Sequence, residues 1–321
     1  MKILFISSGY SGIYPYFEQS ILDSLTLLNQ TYLSIPPKYN RETIKQIEAF
    51  QPDVALVFVG YGLPNELIPY LKTKGIQLGI WLTEDPYYID ESIKLIEDFH
   101  MIFTIDLGAY EFYKNSFQSK KIYHLPLGTD PSLYHPLPNP RNTIYDLCLI
   151  GYPYPERIQL VQDILENTKY TVLIGGPLWR KLFLDHQSGR LHIFNKWIDP
   201  PYLTDLFHSA KIILNPHRAY DFYKNKNTLG ITSKSINNRT FDIAACGVFQ
   251  LLSEKADLAT HFDTANEIIS YSTNQECLQL IETYIDDAHS RTQYGHNARK
   301  RVIDHHTFVH RIQFILKQLR S

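Results

Sequence analysis

Ser235-Ile236-Asn237-Asn238-Arg239-Thr240-Phe241-Asp242-Ile243-Ala244-Ala245-Cys246-Gly247-Val248-Phe249-Gln250-Leu251-Leu252 is the stretch from which the fold can be read. It begins polar, becomes a short helical pattern, stops at Gly247 and runs directly into a buried strand. Asn238, Arg239 and Asp242 fall in the first turn and a half, ahead of the apolar Ile243-Ala244-Ala245. A helix N-terminus offers unpaired N–H groups and a positive dipole end, so with a fixed cation it suits a diphosphate. One turn on, a carboxylate can accept hydrogen bonds from sugar hydroxyls. Arg and Asp three residues apart also fit a plain surface ion pair.

The same alternation extends in both directions. Towards the N-terminus the pattern predicts strands at Ile3–Ile6, Thr31–Ile35, Val54–Val59, Gln77–Leu82, Met101–Ile105 and Ile122–Leu125. Amphipathic helical spacing fills the intervals, as at Glu18–Leu28, Arg41–Phe50 and Leu107–Asn115. After the Pro- and Asn-rich stretch His135–Asn142, a linker candidate, strands resume at Tyr145–Ile150, Tyr170–Ile174, Leu191–Phe194 and Lys211–Leu214. Continuous apolar strands separated by amphipathic helices imply parallel sheets covered on both faces. The expected class is α/β: two Rossmann-like parallel-sheet domains, residues 1–140 and 141–305, facing a cleft, with a C-terminal helix in 306–321 packing back on the first.

Composition narrows the function. With 321 residues and 44% apolar content, both halves can bury a core. A net charge of −2 argues against a nucleic-acid binder that works by general phosphate neutralisation, so any anion site is local. Cys148, Cys246 and Cys277 lack CxxC spacing, which suits a reducing compartment. No apolar run approaches the ~18 residues of a membrane span, and the expectation is a cytoplasmic protein. No ligand spacing among the thirteen histidines supports a metal site.

Four segments taken together carry a resemblance. The segment from Leu125 to Pro136 (LPLGTDPSLYHP) resembles the P-x-G-x-D-x-x-x-F-x-P ending of the N-terminal domain of GT-B glycosyltransferases. The segment from Asn195 to Pro216 (NKWIDPPYLTDLFHSAKIILNP) is similar to their G-x-V-x-x-x-x-L-x-x-x-Y-x-x-A-x-x-x-L-x-P segment. The opening stretch resembles the nucleotide-sugar helix that follows, and Tyr145–Gly151 the first strand and diphosphate loop of the second domain. Within that fold, Trp81–Pro86 (WLTEDP) and Asn237–Asp242 (NNRTFD) look most like CgeB-type spore maturation proteins, a group-1-like branch. Group-1 enzymes place a Glu eight residues before the ribose-holding acid; here the later position is Asp242 and the earlier is Lys234.

The resemblance implies a nucleotide-sugar site made of Gly151, Tyr152, Arg157, Lys196, Trp197, His217, Arg218, Ser235, Asn238, Arg239, Thr240 and Asp242. In it Asp242 holds the ribose and Arg239 clamps the diphosphate through a bidentate guanidinium fork. Gly151 permits close backbone approach, although a turn alone would also explain it. Trp197 suits base stacking or a core, His217 a phosphate contact or a structural role. Ser235, Asn238 and Thr240 also read as plain helix caps. On the acceptor side stand Gly9, Tyr10, Gly12, Glu84 and Asp85, with Asp85 the candidate base, or else the acceptor of its own turn. The implied function is transfer of a sugar from a nucleotide-diphosphate donor, by fold analogy a UDP-sugar, to a glycan, protein or small-molecule hydroxyl, without a metal. Other readings are a non-catalytic spore coat or binding protein of the same fold, and a UDP-sugar epimerase.

Overall fold

The structure, a computed structural model, describes residues 1–138, 143–183 and 189–320. Residues 139–142 of the expected linker lie outside the described residues. The chain begins β1 (Lys2–Ile6), α1 (Tyr14–Leu27), β2 (Thr31–Ile35), α2 (Arg41–Phe50), β3 (Val54–Phe58), α3 (Leu67–Thr73) and β4 (Gln77–Leu82). It continues through α4 (Ile89–Ile96), β5 (Met101–Thr104), α5 (Leu107–Ser116) and β6 (Lys121–His124). These strands form a parallel sheet in the order β2-β1-β3-β4-β5-β6.

The next stretch is β7 (Tyr145–Ile150), α6 (Pro155–Asn167), β8 (Val172–Gly175), β9 (Leu191–Phe194), α7 (Pro200–His208), β10 (Ala210–Asn215) and α8 (Asn238–Cys246). It closes with β11 (Gln250–Ser253), α9 (Leu258–His261), β12 (Ile269–Tyr271), α10 (Asn274–Tyr284), α11 (Ala288–His305) and α12 (Phe308–Leu319). The second parallel sheet runs β12-β11-β10-β7-β8-β9.

Strand sequences without polar interruptions follow from burial on both faces. Along β1 and β3, Ile3, Phe5, Val54, Leu56 and Phe58 join one core, while Leu4, Ile6, Ala55 and Val57 join the other. The first of these cores is covered by Ile21 and Leu25 of α1 and by Phe308, Ile312, Ile315 and Leu319 of α12. In the second sheet, Cys148, Ile150 and Ile213 pack under Phe241, Ile243 and Ala244 of α8, and Leu147, Leu149 and Leu214 pack under Leu160 and Ile164 of α6.

The compact units depart from a continuous division at 140 and 305. One comprises residues 1–128, 220–235 and 308–321, the other residues 129–219 and 236–307. The segment Tyr220–Ser235 belongs to the first unit because acids of that unit hold its backbone. Asp90 accepts from Thr228 N at 3.0 Å, and Asp106 Oδ2 accepts from the N–H groups of Lys234 and Ser235, both at 3.1 Å. Gly108 is required beneath this segment, since a Cβ there would stand 2.1 Å from the Thr232 carbonyl oxygen.

At the carboxyl end of β4, Asp85 is 1% exposed and accepts from Ser92 Oγ (2.6 Å), Thr104 Oγ1 (2.8 Å) and Tyr113 OH (3.0 Å). A closed carboxyl of this kind fastens the core of its unit and presents no oxygen to a substrate, which corrects its reading as an acceptor base. Burial raises its pKa to about 6 against the stabilising hydroxyls. The folded pKa is raised, so the stability it contributes is full below about pH 4 and is lost as pH rises through about 6. Asp85→Asn is expected to flatten this profile, the gap to wild type changing by about 3 kcal/mol between pH 4 and 7. Parallel denaturation profiles for the two proteins across that range would remove Asp85 from this role.

Candidate functional site

In the second unit the strand order reverses between β7 and β10, and ligands of open parallel sheets bind beyond the carboxyl ends of strands at such a switch point. Here Gly151 follows β7, Pro216 follows β10, and α8 starts nearby. The start of α8 is fixed by a buried amide network. The Asn237 side chain caps the helix by accepting from Thr240 N at 3.1 Å, and its Nδ2 donates to Asn215 Oδ1 at 3.0 Å. Asn215 Nδ2 donates to Thr240 Oγ1 (3.0 Å) and Gln250 Oε1 (3.3 Å), and Gln250 Nε2 donates to the Thr240 carbonyl (2.9 Å). Just upstream, Ile236 N donates to Asp257 Oδ1 at 2.9 Å. Gly247, at φ 73°, ends the helix in the left-handed conformation.

Two cations converge on Gly151. A Cβ built on this residue would lie 2.3 Å from Arg157 Nη1 and 3.3 Å from Arg239 Nη1, and its φ of 146° is one that L side chains rarely adopt. Their situations differ. Arg157 is 6% exposed and spends its fork on backbone: Nε and Nη2 donate to the Pro216 carbonyl at 3.1 and 2.9 Å, Nη1 to the Tyr152 carbonyl at 3.1 Å. Arg239, second residue of α8, is half-buried and makes no hydrogen bond or ion pair among the described residues. Burial pushes its pKa down. Its donors and the α8 dipole are an arrangement suited to an anion that can accept from a bidentate fork, while the Gly151 N–H is already given to the Gly175 carbonyl at 2.7 Å.

Asp242, 6% exposed, accepts from Thr129 Oγ1 at 2.8 Å on one oxygen and from Asn238 Nδ2 at 3.0 Å on the other. The alternative of an Arg239–Asp242 ion pair is thereby set aside. Burial raises the Asp242 pKa to about 7, opposed by the Thr129 bond, the Arg239 charge and the Asn238 bond. Asn238 Oδ1 is buried without a donor among the described residues, leaving an acceptor beside the acid.

The other expected residues divide. Tyr152 lends its carbonyl to Arg157, and the Arg157 and Arg218 guanidinium carbons lie 5.2 and 5.1 Å from the Tyr154 ring centroid, within cation–π reach. Trp197 is 49% exposed after β9, which rules out the core reading. Lys196 is exposed beside it, its ammonium 4.9 Å from the Phe194 ring.

Three residues are withdrawn from ligand contact because their polar atoms serve the fold. Buried His217 accepts from Asn237 N on Nε2 (3.3 Å), so Nδ1 carries the proton towards Ser253 Oγ (3.2 Å) or the Asn215 carbonyl (3.3 Å). Burial holds its pKa down at about 3, and it stays neutral. Thr240 is fully buried in the amide network. Ser235 belongs to the first unit, where its hydroxyl accepts from Leu107 N at 2.8 Å and stands 3.0 Å from His124 Nε2.

On the first unit, Gly9 (φ 74°), Tyr10 and Gly12 (φ 73°) follow β1, bordering the switch between β1 and β3. Tyr10 is 41% exposed, and half-buried Glu84 accepts from the Tyr14 hydroxyl. Lys234 forms an ion pair with Glu111. Sequence reasoning missed Asn237, Asn215, Gln250 and Thr129. The Asn-x-x-Thr spacing of 237 and 240 is a cap signal that marks the first; Thr129 lay in the quoted Leu125–Pro136 segment without an assigned role.

Comparisons now place the chain. A family model described as glycosyl transferase-like matches residues 157–317. Spore protein CgeB of Bacillus subtilis (strain 168) is 34% identical over 311 residues, spanning 96% of this chain and 95% of that protein. Sucrose-phosphate synthase from Thermosynechococcus elongatus shares the fold over 100% of this chain and 98% of its own, with a TM-score of 0.72 and 11% identity. Anabaena Alr3699/HepE, solved with UDP and glucose, does so over 100% of both chains, with a TM-score of 0.67 and 13% identity. The two parallel α/β units are of the GT-B type.

The two arginines are expected to separate by stability. Arg239→Ala should melt within about 2 °C of wild type, because no protein bond is lost. Arg157→Ala strands two carbonyls that it serves and should cost about 3 kcal/mol. Equal melting losses in thermal unfolding would contradict this division.

Proposed function

The chain belongs to the glycosyl transferase-like family, and on that premise we propose that it transfers a sugar from a UDP-sugar to an acceptor hydroxyl. The observation that carries the reading is the convergence of Arg157 and Arg239 on Gly151 at the tip of α8. The diphosphate docks on the Arg239 fork and the helix N–H groups; the ribose hydroxyls donate to Asp242, with Asn238 Oδ1 beside it as a further acceptor. The nucleobase stacks on Trp197. UDP is favoured because Alr3699/HepE carries it on the same fold.

In the reaction the acceptor oxygen bonds to the anomeric carbon and the bond from that carbon to the diphosphate oxygen breaks. The acceptor proton passes to a base, and UDP departs. Charge gathers on the leaving diphosphate, where Arg239 and the α8 dipole already point, so they stabilise the transition state more than the ground state. We place the acceptor-hydroxyl contact at Glu84, whose carboxylate is half-buried, and not at enclosed Asp85. The kinship with a spore protein supports a part in maturing spore-surface glycan or glycoprotein. A binding protein without turnover is the second reading, favoured by Lys234 in the position of the group-1 acid.

Isothermal titration of the intact protein with UDP and UDP-glucose tests the site. Arg239→Ala is expected to weaken UDP binding about 100-fold and Asp242→Asn about 10-fold. No heat with any UDP compound would sink the nucleotide reading. Binding without UDP release from UDP-sugars, across a panel of acceptors, would favour the non-catalytic one.

A further inference from the structure

A cavity of about 390 Å³ opens on the first unit, where α2 and α3 end and β3 and β4 begin. It lies at the amino ends of these strands, whereas Tyr10 and Glu84 follow the carboxyl ends of β1 and β4. Its floor is apolar, made of buried Ile47, Pro52 and Ile76. One wall is the half-buried ring of Tyr70, with the Tyr39 ring edge-on at a centroid distance of 5.8 Å. The rim is polar and exposed: Glu48, Gln51 and Lys74.

The charges of this rim cancel. Lys74 Nζ lies 2.9 Å from Glu48 Oε1, and the Tyr70 hydroxyl donates to the same oxygen at 3.3 Å. The cavity therefore suits neither a phosphate nor a cation by charge. An apolar floor, an aromatic wall and a neutral rim of mixed donors and acceptors match the two faces of a sugar ring. C–H groups would lie on the floor and beside the Tyr70 ring, over which the Lys74 ammonium sits 5.4 Å from the centroid; hydroxyls would reach the rim. The volume, near the lower end of the ~300–1,000 Å³ typical of ligand pockets, suits a mono- or disaccharide.

We infer that the hollow between the C-terminal ends of α2 and α3 is a neutral-saccharide site, separate from the nucleotide site. Binding there stands on the cavity alone. Its use, to hold a glycan acceptor on the enzyme by a second point of attachment, rests on the transferase reading. Two attachment points raise the effective concentration of the acceptor without strengthening either contact.

The test is saturation-transfer NMR on the full-length protein with glucose, galactose, rhamnose, N-acetylglucosamine and maltose, each at millimolar concentration. At least one sugar is expected to receive transfer that falls five-fold or more in Tyr70→Leu and in the double variant Glu48→Gln, Lys74→Ala. The double variant changes only exposed side chains, so it keeps the test valid should Tyr70→Leu unfold. Arg239→Ala should leave the signal unchanged, which separates this site from the nucleotide site. The inference is overturned if no sugar receives transfer. It is equally overturned if the signal survives the double variant, or vanishes in Arg239→Ala alone. UDP binding that fails while saturation transfer to the sugar persists would count against the transferase reading and leave this site standing.

Discussion

The tip of α8 is held by a closed ring of buried amides, and the site depends on it. Asn215 ends β10, Gln250 begins β11, and between them Asn237 and Thr240 make the first turn of the helix. A buried amide left unpaired costs about 1–3 kcal/mol, so a ring in which the groups satisfy one another tolerates little displacement. The helix start is thus locked to two strands through side chains. Arg239, within that same first turn, is delivered to Gly151 by the main chain and not by a side-chain partner. His217 and Asp257 strengthen the same point by binding the N–H groups of Asn237 and Ile236.

This arrangement keeps cation and acid apart although they are one turn from each other. A guanidinium beside a buried carboxylate normally closes a salt bridge, and a closed bridge would neutralise the cation. Thr129 and Asn238 occupy one carboxylate oxygen each and hold Asp242 away from Arg239. Asp242 retains a raised pKa and Arg239 a lowered one, the opposite of what mutual pairing produces. Both groups are left in a desolvating surrounding, which in the proposed reading a ligand with an anionic and a hydroxylic part relieves together. Arg157 performs a different task at the same glycine: its charge is spread over the Pro216 and Tyr152 carbonyls, so it shapes the loop while adding positive potential.

Much of this was legible from residues in order. The apolar runs of β1, β3, β4, β7 and β10 exceed what a half-exposed strand tolerates, so both parallel sheets could be read directly. The positions of Arg239 at a helix start and of Gly151 at a strand end followed from the sequence pattern, while the roles proposed for them rest on the resemblance. What sequence order could not convey is contact across distance. Tyr220–Ser235 carries no compositional break, yet Asp106 holds Ser235 from 129 residues away. Ser235, one residue before the amide-locked turn, therefore belongs to a different compact unit from Ile236. His217 and Thr240 failed as ligand contacts for a related reason: polar residues beside a helix start serve either ligand or fold, and only their partners decide.

Asp85 and Asp242 show why a perturbed carboxyl is weak grounds for function by itself. Both are almost fully buried, both are raised well above the ordinary aspartate range, and each follows or faces a strand's carboxyl end. Perturbed acids concentrate at active sites, but structural hubs perturb acids equally well. The difference lies in the neighbours. Three hydroxyls enclose Asp85 at the end of β4, one strand removed from the β1/β3 switch of its sheet. Asp242 has as neighbours a cation that makes no hydrogen bond or ion pair, and a buried amide oxygen that has no donor, among the described residues. Both lie where the second sheet reverses its winding. Incomplete neighbours at a topological switch are the ground on which Asp242 is proposed to meet a ligand; complete ones tie Asp85 to the fold.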